Sequence, residues 1–290
     1  MSFIGASAAS AAAGSAATTA AVLAARRARA EWVRGKAAER LAALGDRALV
    51  LDLYDAGGAE RYHALARGDH SEVREVLAVV RRRPGPVLEL AAGSGRLTLP
   101  LVAAGARVTA VDLSEPMLAI LRSQLAALPG DQAGRCRVVR ADMTSFRLRG
   151  RFRTVVLGAS SVSLLDERGR LGMMRCVRRE VAKDGTFVLS TAVGHEGADA
   201  TGPEVVTPLP DGGAVHEYWA PGADARVVTI FPPDDGQGPV EVYTSTVRVL
   251  RTELLTDELE QAGFAVERVL PVRSDSRSRH ALELIEAVPR

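Results

Sequence analysis

Between Pro86 and Thr191 short apolar runs alternate with longer amphipathic stretches. Val87–Leu90 precedes Arg96–Ala104, Val108–Leu113 precedes Glu115–Leu128, Cys136–Ala141 stands alone, Thr154–Gly158 precedes Asp166–Ala182, and Thr186–Thr191 closes the series. Short, continuously apolar runs suit strands buried on both faces, and the helical periods between them suit crossover helices. The alternation predicts a doubly wound α/β layer, a parallel sheet covered on both sides. End signals agree: Ser114 precedes one helix with Pro116 in its first turn, Asp166 opens another, and Asp184-Gly185 is positioned to close it.

The flanks read differently. Residues 1–23 are Ala- and Ser-rich, broken by Gly14, Ser15, Thr18 and Thr19, and predict a disordered low-complexity tail rather than a secretory signal. Residues 24–83 predict an N-terminal helical cap. Its first helix, Ala24–Leu44, shares Trp32, Val33, Ala37 and Leu41 on one face and ends at Gly45; it is either a solvated helix or an arm that docks a peptide. Its second, Ser71–Arg82, ends before Pro84. From 84 to 290 runs the α/β domain, with a β insertion over about 194–251 in which Val215–Trp219, Arg226–Phe231 and Val240–Arg251 form an antiparallel meander. A helix, Leu254–Ala262, stops at Gly263, and Ala265–Val272 with His280–Val288 make an edge hairpin, giving a seven-stranded, mostly parallel, Rossmann-like sheet.

Composition narrows the function classes. The chain has 290 residues, 47% hydrophobic and 25% charged, with a formal net charge of +2, which suits a soluble globular protein and lacks the basic excess of a nucleic-acid binder. No run reaches the roughly 20 apolar residues of a membrane span. Cys136 and Cys176 are too few and too isolated for a zinc ribbon or a disulfide framework, and read as buried thiols in a reducing cytoplasm. The histidines His63, His70, His195, His216 and His280 show no paired spacing, so no metal site is expected.

The strongest local signal is Val87-Leu88-Glu89-Leu90-Ala91-Ala92-Gly93-Ser94-Gly95-Arg96, a buried strand running into a small-residue turn and then a helix. Small residues let a ligand approach the backbone, and the helix N-terminus offers unpaired N–H groups. Asp112 ends the next strand, 23 residues after Glu89, where a carboxylate can accept both hydroxyls of a ribose. A dinucleotide fingerprint requires a third glycine, but Leu97 and Thr98 follow Gly95, and Glu89 would repel a pyrophosphate. A cofactor with a ribose, no phosphates and an ammonium for Glu89 fits better: S-adenosylmethionine.

Here the chain resembles the class I S-adenosylmethionine-dependent methyltransferases. Glu89–Gly95 is similar to their first motif, with Ala91 in place of its first glycine; Val111–Ser114 is similar to the acidic loop after strand 2, Ala141-Asp142-Met143 to the adenine element, and Lys183-Asp184-Gly185 to the turn before strand 5. The resemblance implies that Glu89 binds the methionine amine, that Ala91, Gly93 and Gly95 admit the cofactor with Gly158 nearby, and that Asp112 takes the ribose hydroxyls. It also implies that Leu113 and Met117 pack on the adenine, with Asp142 and Met143 at its edge. The Tyr54-Asp55 pair, Glu89–Pro100 and Ser160–Leu165 together also resemble bacterial natural-product N-methyltransferases of the daptide-type ribosomal peptide pathways.

The loop Gly158–Ser163 lacks the Asn/Asp-Pro-Pro-aromatic motif of methylases that act on planar amide or base nitrogens. An amine of a small natural product or peptide is the expected acceptor, a hydroxyl the alternative, and a non-catalytic binding module the reading from another class. Catalytic candidates are Tyr54, His63 and His216; substrate-contact candidates are Tyr54, Tyr62, Ser160, Ser161, Tyr218 and Trp219. No nucleic-acid or membrane partner is expected, and an exposed meander edge could pair two copies into a homodimer.

Overall fold

Glu89 sits in the middle of the most buried strand, and the sheet grows outward from it. In the computed structural model, which describes residues 30–193, 203–220, 222, 224–272 and 281–290, strand β2 (Val87–Leu90) has all four residues buried. It pairs in parallel with β3 (Val108–Asp112) on one side and β5 (Phe152–Leu157) on the other. Beyond these lie β4 (Cys136–Arg140) and β6 (Val181–Val193), again parallel. The hairpin of β11 (Phe264–Val272) and β12 (Ala281–Pro289) completes a seven-stranded sheet, order β11-β12-β6-β5-β2-β3-β4, with β12 antiparallel to β6.

Side-chain alternation along these strands builds two cores. Leu88, Leu90, Val155 and Leu157 face one way, where they meet Met173, Met174 and Val177 of α6 (Glu167–Glu180) and Leu255 and Leu259 of α7 (Thr252–Gln261). Val87 and Val156 face the other way, toward Val76 and Val79 of α3 (Val73–Arg82), Leu101 of α4 (Thr98–Ala103), and Leu118 and Leu121 of α5 (Glu115–Ala126). Each fully buried side chain of this size contributes about 1.5–3 kcal/mol. Ser114 accepts the Met117 N–H and Asp166 accepts the Gly169 N–H, so both N-caps stand where the sequence puts them.

The chain divides into two compact units, Met1–Leu53 with Thr201–Thr246 and Tyr54–Ala200 with Val247–Arg290. The smaller holds a five-stranded sheet, order β1-β10-β9-β8-β7, in which β7 (Glu204–Pro208), β8 (Ala214–Trp219) and β9 (Ala225–Phe231) are antiparallel neighbours. Its β1 (Ala48–Asp52) pairs in parallel with β10 (Val240–Arg248). Val33, Ala37, Phe231, Val240 and Val242 form its core.

Several expectations change. The segment 24–83 is not one helical cap: β1 interrupts it, and α2 (Ala56–Ala66) and α3 belong to the larger unit. The predicted helix Ala24–Leu44 is interrupted: Ala30 is helical, residues 31–34 are not, and α1 (Gly35–Leu44) begins at Gly35, whose φ of +61° breaks the period; a Cβ there would meet Glu204 Oε2 at 2.8 Å. Glu204 instead caps the helix, accepting the Lys36 N–H at 2.9 Å and the Ala37 N–H at 3.3 Å. Helix α6 ends at Glu180, and Asp184-Gly185 lies inside β6, where the register slips between Phe152↔Val181 and Thr154↔Thr186. Gly185 is required by a bulge rather than by a helix end. Cys136 is half-buried rather than fully buried, because its strand is the sheet edge. The predicted tail 1–23, the helix start 24–29, His195, Pro221 and His280 lie outside the described residues.

Candidate active site

The turn after β2 is held open by its own backbone. Ala91 takes a left-handed φ of +50°, the position where the methyltransferase motif has glycine, and Gly93 follows at +54°. A left-handed alanine costs about 1–2 kcal/mol, so its surroundings must hold it there. A Cβ on Gly93 would meet no atom within 4 Å, so this glycine faces open space. Gly95, at φ +100°, stands against α5 instead: a Cβ on it would lie 2.6 Å from Leu121 Cδ1. Gly158 is likewise a packing glycine, its missing Cβ replaced by Leu97 and the carboxylate of Glu72.

Asp112 ties the turn to the next strand, its Oδ2 accepting the Gly93 N–H and its Oδ1 the Ser114 N–H, both at 2.8 Å. Burial raises its carboxyl above the ordinary range, and these N–H donors hold the rise back. Glu89, 3% exposed, accepts the Thr98 hydroxyl at 2.5 Å, and burial pushes its carboxyl up to about 8. Leu113 next door is 61% exposed, whereas Met117 is fully buried in α5. Asp142 is exposed, with Oδ1 engaged by the Thr144 N–H and hydroxyl at 2.7 Å, and Met143 is packed against the core.

Helix α2 brings further residues to this turn. His63 Nδ1 lies 2.9 Å from Ser94 Oγ, and burial, with Arg67 adding, lowers its pKa, so the ring is neutral near pH 7. The Tyr54 carbonyl accepts the Ser114 hydroxyl at 2.6 Å, and the Tyr54 and Tyr62 rings meet edge to face at 5.6 Å. Burial raises the Tyr62 phenol, with Asp69, Glu72 and Asp112 adding and Arg96 opposing. Tyr54, Tyr62, His63, Glu89, Gly93 and Asp112 therefore gather at one end of the sheet.

His216, Tyr218 and Trp219 belong to the smaller unit. His216 is a core residue there, 5% exposed, packed edge to face on Phe231 at 5.1 Å, with Nδ1 3.5 Å from Glu204 Oε1, and not a group open to a substrate. Trp219 lies under the guanidinium of Arg226. In the loop after β5, Ala159 and Ser160 take left-handed φ values of +55° and +53°, Ser161 is buried, and Ser160 Oγ is buried without a hydrogen-bond partner. Two consecutive strained residues at the end of a central strand are the kind of cost retained at functional sites.

Glu72 and Arg96 escaped the sequence reading. Glu72 is fully buried, pairs with the Arg96 guanidinium, and accepts the Ala159 N–H at 2.6 Å on Oε1, while its Oε2 has no hydrogen-bond partner. Arg96 also donates to the Ser71 carbonyl at 2.7 Å. The pair thus links the start of α3, the turn after β2 and the strained loop after β5. No motif announces it, since Glu72 and Arg96 lie 24 positions apart. Among the described residues no group of three His, Cys, Asp or Glu could hold a metal, and no helix is long and apolar enough to cross a membrane.

Comparison with known proteins gives this geometry a family. Residues 87–185 match a methyltransferase domain family. The chain is 36% identical to the glycopeptide N-methyltransferase MtfA, crystallised with S-adenosylhomocysteine, over 89% of this chain and 99% of that one, at a TM-score of 0.63. The CcbJ methyltransferase of Streptomyces caelestis superposes at a TM-score of 0.68 with 23% identity over 82% of this chain and 98% of its own, a likeness of fold. A 77-residue segment is 38% identical to ribosomal RNA small subunit methyltransferase A of Anaeromyxobacter dehalogenans, and spans only 27% of that relative.

Proposed function

The chain belongs to the class I S-adenosylmethionine-dependent methyltransferases, and on that premise we propose that it methylates an amine nitrogen of a natural product, a small molecule or a peptide. One observation carries the choice of acceptor: the 36% identity to a glycopeptide N-methyltransferase extends over 99% of that enzyme. The loop Gly158–Ser163, without the motif of base and amide methylases, supports the same reading.

The residues fit S-adenosylmethionine. A buried carboxyl at Glu89, an open face at Gly93 and a carboxylate at Asp112 already oriented by two N–H groups match an ammonium, a close-packed chain and a ribose diol in turn. We assign Glu89 to the amine, Asp112 to the ribose hydroxyls, exposed Leu113 to the adenine face and Asp142 to the adenine edge. The chemistry supplied on binding is a methyl group on a sulfonium, which a neutral nucleophile takes by in-line displacement.

What remains for the protein is alignment and the acceptor's proton. Holding donor and acceptor in line can supply ~7–11 kcal/mol of the barrier. An amine is protonated near neutrality and must lose that proton before it attacks.

Incubation with isotopically labelled S-adenosylmethionine and an acceptor panel tests this. Primary and secondary amines of small natural products and peptides, a ribosomal peptide bearing a terminal amine among them, should gain label, while hydroxyl and carboxylate analogues should not. Label on hydroxyls alone would make it an O-methyltransferase, and label on nothing a binding module. S-adenosylhomocysteine should bind at least tenfold more weakly to Asp112→Ala by calorimetry, since charge-assisted hydrogen bonds contribute about 1.5–3 kcal/mol.

A further inference from the structure

A cavity of about 600 Å³ in the larger unit lies between the turn after β4 and the first turns of α6, away from Glu89 and Gly93 in its lining. Arg168, Gly172 and Arg175 stand at i, i+4 and i+7 on α6, one face of the helix, and all three line it. Glycine at the middle position lets α6 close on the turn after β4, because a Cβ on Gly172 would lie 3.0 Å from the Thr144 carbonyl oxygen. Arg248, at the end of β10, adds a third guanidinium, and Leu164 and Leu165 give an apolar wall.

These arginines differ from those elsewhere in the chain that are held by a carboxylate. Arg47, Arg82, Arg96, Arg170 and Arg226 each pair with a carboxylate. Among the described residues Arg168, Arg175 and Arg248 form neither an ion pair nor a side-chain hydrogen bond. Asp166, the carboxylate in the lining, is already committed to capping α6 through the Gly169 N–H at 2.7 Å. Three guanidinium forks and the N-terminal end of a 14-residue helix therefore make the cavity strongly positive.

We propose that this cavity binds an anionic organic ligand, one with two carboxylate or phosphate groups that the guanidiniums grip bidentately and an apolar part seated on Leu164 and Leu165. Its probes and variants involve none of the residues assigned to the cofactor or the acceptor, so it stands or falls apart from the function proposed above. Inorganic pyrophosphate and succinate, titrated into the full-length protein at constant ionic strength without cofactor, are the probes. At least one should bind saturably at one site by calorimetry; pyrophosphate alone would mark a phosphate ligand, and succinate alone a dicarboxylate.

The double variant Arg168→Gln/Arg175→Gln should weaken that binding at least tenfold. Arg122→Gln/Arg135→Gln, which removes two surface arginines of the same unit, should leave it within twofold. Arg168 and Arg175 are exposed, so the double variant should melt with the wild type, and Arg248→Gln supplies a second, separate weakening. Absence of saturation by both probes, or an equal loss in the Arg122/Arg135 control, overturns the proposal.

Discussion

Glu89 is a carboxyl placed where it costs the fold free energy, and the cost has a sign. Burial is the main cause of its rise to about 8, with Asp112 and Glu72 adding, while Thr98 and Arg96 oppose it. Below about pH 4.5 the group is neutral folded or unfolded. Between there and pH 8 the unfolded chain ionises and the folded one holds its proton, so stability falls across that window and levels off above it. At about 1.4 kcal/mol per pKa unit the loss is several kcal/mol. Urea unfolding at pH 5 and pH 9 should show this loss in the wild type and little of it in Glu89→Gln; equal losses in both would show that Glu89 is not its source. An ammonium bound beside the carboxylate would remove the penalty, which is why so costly a group suits a cofactor site.

The same balance between cost and pairing operates between elements. Arg170 of α6 and Glu258 of α7 form a buried, bidentate pair at 2.8 and 2.6 Å, with side chains 5% and 6% exposed. Removing one partner leaves the other charged and buried, so Arg170→Met should cost about 3–5 kcal/mol by chemical denaturation. Replacing both, in Arg170→Met/Glu258→Leu, should recover most of that, and a double variant no better than the single would refute the argument. Neither residue was legible as a pair, since 88 positions separate them. What could be read were elements whose signal is local: the apolar strands of the parallel sheet, the Ser114 and Asp166 caps, and the small-residue turn after β2. Strand β1 escaped because Leu49-Val50-Leu51 is too short to tell strand from helix and its partner β10 lies far along the chain. At Gly95 and Gly158 the sequence shows that a Cβ is missing, not that Leu121 stands against the one and Leu97 and Glu72 against the other.

At the scale of the whole chain, two units with separate cores need not unfold together. The smaller closes over Val33, Ala37, Phe231, Val240 and Val242 and is assembled from two distant stretches of sequence, joined where β1 pairs with β10. The larger rests on two bigger clusters on either face of its sheet, and all the residues assigned above to the cofactor lie within it. A charge in the smaller core should therefore act locally. Val242 is fully buried in the middle of β10, and Val242→Asp leaves a carboxylate there without a partner, enough to open a unit whose core is this small. Hydrogen exchange followed by mass spectrometry should show amides of 204–219 and 225–246 losing protection in this variant while those of β2, β3 and β5 keep theirs. S-adenosylhomocysteine affinity should stay within about threefold, because no assigned contact is touched. Simultaneous loss of protection over residues 87–157 would mean instead that the two units unfold as one cooperative body, and the cofactor affinity would then fall with them.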